Sequence, residues 1–245
     1  MISILAGRLG GYRSGFRGPG RRKVVIMTLR LNEINRHKER SRRERAELDA
    51  VLDAGHHIGS LSTVAGGQPW VVPMLYGRAG DRILMHGSVG AGALRYVAAG
   101  APAALCVMHI DGWVYAHTLF DSSANYRSAV VHGRLIALSG DDALEALTQI
   151  SECLTPGRSA EVPFHTKKQV AATTALAMDI AEGQWTVKVR DAGPGEPQAG
   201  EADPGLWTGI LPIYSAYGPP RTSANVPADT PVSPSVLRRS GQPVS

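Results

Sequence analysis

Two short polar clusters in this chain carry the residue types that could hold a cofactor. His86, Gly87 and Ser88 follow an apolar run, and a glycine-rich loop then leads into a predicted helix that carries Arg95. Glycines let a ligand approach the backbone closely, while a helix N-terminus and a guanidinium attract anions. These features indicate a phosphate site. The loop matches neither the dinucleotide fingerprint nor a P-loop, so a plain turn is the competing interpretation.

The second cluster is Asn125, Tyr126, Arg127 and Ser128, directly before the apolar residues 129–131. Its amide, phenol, guanidinium and hydroxyl groups stand at one predicted strand entrance. Such groups can bind a phosphate or the polar edge of a ring. A surface turn with one ion pair is the competing interpretation.

Hydrolase and metal chemistry are less well supported by the residues. His86 stands where a nucleophile elbow needs its first glycine. Other histidines, such as His109 and His132, fall on predicted strands, but no pair has the spacing of a helical zinc site. The adjacent His56 and His57 would face opposite sides of a strand. We therefore predict no metal site, and we name no catalytic residue.

The net charge of +5 is unevenly distributed. Residues 1–45 hold thirteen Lys and Arg against three Asp and Glu, whereas residues 46–245 hold thirteen basic and eighteen acidic residues. Phosphate attraction needs clustered cations, so any nucleic-acid affinity would belong to the arm, and we expect no nucleic-acid partner for the body. We predict that residues 1–38 form a disordered basic arm.

The cellular context follows from the cysteines and the hydropathy pattern. Cys106 and Cys153 are the two cysteines, with no CxxC spacing, which favours a reducing cytoplasm without disulfides. No run approaches the ~20 apolar residues that a bilayer span requires, so we expect no membrane association. Translation could also begin at Met27, and native peptides upstream of it in mass spectrometry would exclude that alternative.

The chain reads mainly as short strands joined by tight turns. Strands are predicted at residues 56–64, 68–76, 81–86, 103–110, 113–120, 128–138, 175–181 and 184–190, and helices at 39–54, 93–99 and 140–154. Asp111-Gly112 is a two-residue hairpin signal, and the helix at 140–154 would cover a barrel end. This pattern favours a mainly-β closed barrel with flanking helices over a doubly wound sheet.

Four ordered segments extend this interpretation. They are Gln68-Pro-Trp-Val-Val-Pro-Met-Leu-Tyr-Gly77, Leu84-Met-His-Gly-Ser88, Asn125-Tyr-Arg-Ser128 with Val130, Val131 and Gly133, and Leu206-Trp-Thr-Gly-Ile-Leu-Pro212. Together they resemble the pyridoxamine 5′-phosphate oxidase-like FMN-binding split-barrel proteins. The resemblance implies a split β-barrel over residues 39–217, and the polar composition beyond it predicts a disordered tail at 218–245.

The resemblance also implies a homodimer with FMN at the subunit interface and an oxidoreductase acting on an unknown small molecule. Pro73 and Met74 would line the isoalloxazine. The residues His86, Gly87, Ser88 and Arg95 would lie on its phosphate side. The residues Asn125, Tyr126, Arg127 and Ser128 would approach the flavin from the adjacent strand or the other subunit. Lys188 and Arg190, together with Trp207, would help to close the site.

Two departures from the family pattern leave alternatives open. Ala91 and Gly92 stand where many relatives carry a hydroxyl and a basic residue, and His117 stands where arginine is expected. Without these groups, the predicted site should bind a phosphate group less tightly. A deazaflavin in the same groove is one alternative, and a non-catalytic protein that holds flavin or haem is another.

Overall fold

The computed structural model describes residues 33–34, 36–88, 92–197, 199–200, 203 and 205–244. The strands are β1 (Ser41–Arg42), β2 (Ile58–Ala65), β3 (Gln68–Ala79), β4 (Arg82–Ser88), β5 (Ala99–Tyr115), β6 (Ser123–Leu138), β7 (Thr173–Asp179), β8 (Trp185–Arg190) and β9 (Gly209–Pro212). The helices are α1 (Arg45–Asp53), α2 (Gly92–Ala98), α3 (Gly140–Leu154), α4 (Lys167–Ala171) and α5 (Pro234–Arg239). Most of the predicted basic arm, with Met27, and Ala91 lie outside the described residues.

Antiparallel pairing closes six of these strands into a ring. The order around the ring is β2, β3, β4, β7, β6 and β5, with β5 returning to β2. The first half of β6 also pairs with β8, which carries β1 on its other edge, and the end of β5 pairs with β9. The predicted mainly-β split barrel is therefore confirmed.

The barrel is split where β3 changes partners. From Gln68 to Leu75 β3 pairs with β2, and from Tyr76 to Ala79 it pairs with β4 instead. Pro69 and Pro73 lie in the half that does not pair with β4. Proline has no N–H to donate to a neighbouring strand, so it is confined to strand edges. An opening consequently separates the first half of β3 from the end of β4.

Two helices close the ends of the barrel around an apolar interior. Leu48, Val51 and Leu52 of α1 fill one end, and Leu94 and Val97 of α2 fill the other. These residues join the inward side chains of the strands in one buried cluster. Burial of such large aliphatic side chains contributes about 1.5–3 kcal/mol each.

Two barrel side chains satisfy the last carbonyl groups of α1. The Tyr76 hydroxyl donates to the Leu52 oxygen at 2.6 Å, and the His109 Nε2 lies 2.9 Å from the Val51 oxygen. Burial raises the pKa of the Tyr76 phenol far above its usual value. Helix ends need such partners because their final C=O groups have none within the helix. His109, a strand histidine in the sequence, therefore has a structural partner.

Helix α3 has the predicted bounds, but its position in the fold differs from the predicted one. Its buried side chains, among them Ala146 and Ile150, pack against Leu84, Ala175 and Ala177 on the outside of β4 and β7. The prediction that this helix covers a barrel end is wrong, because α1 and α2 occupy the ends.

The predicted hairpin at Asp111-Gly112 is also wrong. Strand β5 continues through these residues to Tyr115 with a bulge between Ile110 and Gly112. Gly112 packs against β9, where a Cβ atom would lie 2.9 Å from the Leu211 oxygen. The glycine therefore serves a close strand approach, and the chain turns later, at residues 116–122.

The tail predicted to be disordered forms part of the described fold. Helix α5 is anchored by Ser235, whose N–H and hydroxyl donate to Glu161 at 2.8 and 2.5 Å. These bonds lower the pKa of the Glu161 carboxyl. Arg239 donates to the Leu154 oxygen and to the Tyr217 hydroxyl. The prediction failed because it looked for apolar packing, whereas this segment is held mainly by polar contacts.

None of the described helices combines the length and apolar character that a bilayer crossing needs.

We predict that Tyr76→Phe destabilises the fold by about 1–3 kcal/mol, because it leaves the buried Leu52 carbonyl without its donor. The measurement is urea unfolding followed by circular dichroism. Tyr214→Phe is the matched control, since Tyr214 is 87% exposed and its change should stay within about 0.5 kcal/mol. Equal midpoints for both variants would contradict the role of the hydroxyl.

Candidate functional site

The candidate site lies on the outside of five neighbouring strands, β3, β2, β5, β6 and β8, which we call the outer sheet face. One row of residues crosses all five strands in register: Pro73, Ser60, Cys106, Val130 and Thr186. Successive side chains alternate between the faces of a strand, and the chain neighbours of this row, such as Leu61 and Leu105, are buried in the core. The row itself therefore faces outward.

The alternation separates Pro73 from Met74. Pro73 is exposed at the edge of the opening, whereas Met74 packs against the barrel core on the other side of β3. Only Pro73 of this predicted pair lies on the outer sheet face.

The same alternation divides the second polar cluster. Tyr126 and Ser128 lie on the outer sheet face, and Ser128 is in register with Met108 and Lys188 on the neighbouring strands. The Ser128 hydroxyl donates to the Lys188 oxygen at 3.3 Å. Lys188, half-buried on β8, thus lies beside this cluster.

Arg127 points away from these residues and forms an ion pair with Asp111. Its Nε donates to both carboxylate oxygens at 3.1 and 3.2 Å, and its Nη2 donates to one of them at 2.9 Å. A bidentate guanidinium–carboxylate pair is strong and directional. The guanidinium predicted to contact the cofactor is therefore already engaged.

Asn125 is buried, with 3% of its surface exposed, and holds the chain that follows β8. Its Oδ1 accepts from the Arg190 guanidinium and from the Ala192 N–H at 3.2 Å. Arg190 in turn donates to the oxygens of Ala192 and Gly193 at 3.0 and 3.3 Å. Burial lowers the pKa of Arg190. This contact set is structural and occupies the Asn125 amide oxygen.

The first polar cluster lies across the opening, at the end of β4. His86 faces outward, and burial, with a smaller effect of His165, lowers the pKa of its imidazole. Gly87 faces the core, where a Cβ atom would lie 2.3 Å from the Leu94 Cδ2. Ser88 and Arg95 are exposed. Gly87 thus serves the packing of α2, while the three other side chains border the opening.

Trp207 lies far from the other predicted residues within one chain. Its ring is 5.7 Å from the ring of Tyr115, near the end of β5. Tyr115 is seven residues from Met108, which corresponds to about 20 Å along a strand. Trp207 could therefore approach the other predicted site residues only from a second copy of the chain.

The distance between the strands sets the size of ligand that fits the outer sheet face. Pro73 and Val130 are three strand spacings apart, or about 14 Å. Ser60 and Cys106 lie between them and have small side chains. A flat ring lying over β2 and β5 could reach polar groups on both sides. Sequence alternation could have placed Ser60 and Cys106 on this face, but the sequence interpretation did not include them.

Within the described part of the chain, no group of three or more His, Cys, Asp or Glu side chains is arranged to hold a metal ion. His132 lines a separate cavity of 620 Å³ on the outer sheet face, beside Ala104 and Gln184. The His117 Nδ1 is buried without a hydrogen-bond partner among the described residues.

Comparisons with known proteins agree with this fold. The family profile described as pyridoxamine 5′-phosphate oxidase matches residues 44–186. A FAD and haem binding protein from Mycobacterium smegmatis is 36% identical over 82% of this chain and 98% of its own, with a TM-score of 0.79. A flavocytochrome from Azotobacter vinelandii is 24% identical over 86% of this chain and 97% of its own, with a TM-score of 0.77. The comparison with curated proteins gave no match.

We predict that Asn125→Ala destabilises the protein by about 1–3 kcal/mol, because the Arg190 guanidinium and the Ala192 N–H lose an acceptor. Thermal and urea unfolding measure the effect, with exposed Ser123→Ala as the control. Flavin affinity, measured where the variant is folded, should stay within about twofold. A stable variant with weakened flavin affinity would instead assign Asn125 to the cofactor.

Proposed function

Because this chain belongs to the pyridoxamine 5′-phosphate oxidase family, we propose that it is a flavin-dependent oxidoreductase that also binds haem. The observation that carries this proposal is its 36% identity, over 98% of that chain, to a protein described as binding FAD and haem. The proposed flavin position is the outer sheet face over β2 and β5, next to the opening between β3 and β4.

The residues present fit a flavin ring at this position. The small side chains of Ser60 and Cys106 leave space for a flat ring, and Pro73 provides an apolar strand edge without an N–H. Ser128 and Lys188 supply a hydroxyl and a cation on the far side. Binding pockets of this kind combine apolar surface with a few placed polar groups. A bound flavin supplies hydride or electron transfer, while these side chains orient it and limit access of water.

The proposed flavin is FAD. The sequence resemblance pointed to FMN, but the relative is described as binding FAD, and both flavins present the same ring to the outer sheet face. Arg95, exposed on α2, is available near the opening as a cation for a phosphate group. A deazaflavin has the same ring shape and is the alternative to be tested beside FAD and FMN. A protein that binds cofactors without turnover is the non-catalytic alternative.

The proposal includes a homodimer in the cytoplasm. The outer sheet face exposes large apolar side chains, including Met108 at 69% and Val71 at 62%. A patch of this kind on a sheet commonly marks an interface. A twofold-related copy would cover it with the same surface, as in most homodimers, and would bring Trp207 of the partner towards the flavin.

We predict that purified protein binds FAD more tightly than FMN or a deazaflavin in side-by-side titrations followed by absorbance and fluorescence. Lys188→Ala should weaken FAD binding about tenfold, because a hydrogen bond to a charged group is lost. Lys168→Ala, an exposed lysine on α4, is the control and should bind as the wild type does. Wild-type protein that binds none of the three cofactors would refute the flavin proposal.

We also predict that Met108→Glu gives a monomer with weakened FAD binding, because a carboxylate would be buried in the interface. Analytical ultracentrifugation measures the assembly. Leu237→Glu changes an aliphatic residue of α5 that is 55% exposed and should leave the dimer intact. A wild-type monomer that binds FAD tightly would contradict the shared site.

A further inference from the structure

The outer sheet face carries a cavity that the proposed flavin position does not use. Its volume is 620 Å³, within the usual range for cofactor pockets. One row of residues forms part of its floor and walls: His132, Ala104, Ser62 and Val71, which are in register on β6, β5, β2 and β3. The small side chains of Ala104 and Ser62 leave space between His132 and Val71.

His132 is held in place by its backbone while its ring stays available. Its N–H donates to the Gln184 oxygen at 2.8 Å. Within the described residues, the imidazole has no hydrogen bond or ion pair. Histidine is a usual protein ligand of haem iron.

The rest of the cavity combines an apolar wall with a polar rim. Pro69, Val64 and Val71 present apolar surface, and Val64 and Val71 are mostly exposed. Arg134 and Gln184 stand at the border, and the Arg134 guanidinium donates to the Gly100 oxygen. A ligand with a broad apolar plane and carboxylates at its edge matches this distribution.

Three other described histidines are less suited to such a ligand. His109 contacts the Val51 oxygen, and His57 packs edge-on against the Tyr76 ring. His56 lines a cavity of 390 Å³, but that cavity also contains the Asp111–Arg127 ion pair.

We propose that the 620 Å³ cavity is the haem site and that the His132 imidazole is an axial ligand of the iron. This inference rests on the haem binding that is part of the proposed function. The macrocycle would lie against the apolar wall, and Arg134 would pair with a propionate. His132 is two residues from Val130, or about 7 Å along β6, so the proposed haem position directly adjoins the proposed flavin position on one face.

The test is reconstitution of the full chain with haemin, in wild-type protein and in His132→Ala and His132→Gln variants. Absorbance and electron paramagnetic resonance report the axial ligand. Both variants should lose at least tenfold in haem affinity and lose the imidazole signature, and added imidazole should restore that signature. FAD affinity should be unchanged. His165→Ala, at an exposed loop position, should match the wild type.

The outcomes separate the two proposals. Wild-type protein that binds no haem would overturn haem binding and the ligand assignment together, while the FAD titration still tests the flavin. Wild-type protein with an imidazole-ligated haem that both His132 variants retain would overturn His132 alone. Loss of the signature in His56→Ala, with His132 variants unaffected, would move the site to the smaller cavity. Circular dichroism establishes that each variant is folded.

Discussion

The change of partner along β3 is the constraint on which the rest of the structure depends. Its first part, as far as Leu75, pairs with β2, and from Tyr76 onward it pairs with β4. The second half closes the ring and brings the Tyr76 hydroxyl to the end of α1. The first half leaves an opening bordered by Pro73 on one side and His86 on the other. One strand thus completes the core and leaves an opening in the wall.

The period of two along each strand then sorts the polar residues by role. In the segment from Asn125 to Ser128, Arg127 pairs with Asp111 and Asn125 holds Arg190, while Tyr126 and Ser128 remain on the outer sheet face. A cluster that is continuous in sequence is therefore half structural and half available to a ligand. The structural half rigidifies the strands that present the other half, as supporting contacts around functional sites generally do.

The apolar residues on the outer sheet face are part of the same arrangement. A closed barrel buries one face of each strand, and the second face of the β3, β2, β5, β6 and β8 sheet stays exposed with side chains such as Met108. Trp207 packs against Tyr115, which lies about 20 Å along β5 from Met108. Both facts agree with the proposed dimer, in which a second copy of the chain would complete the cofactor site. The same copy would also cover the His132 cavity.

From the sequence one can predict the strand-rich class, the bounds of α3 and the four segments of the family pattern, because these depend on local periodicity and on contiguous motifs. The folded arrangement of the strands sets which face each polar residue occupies and which groups are already engaged. Met74, Arg127 and Asn125 illustrate this, since their partners come from elsewhere in the chain. The Asp111-Gly112 bulge and the anchoring of α5 on Glu161 were likewise decided by contacts distant in sequence, where long-range pairing overrides a local turn or composition signal.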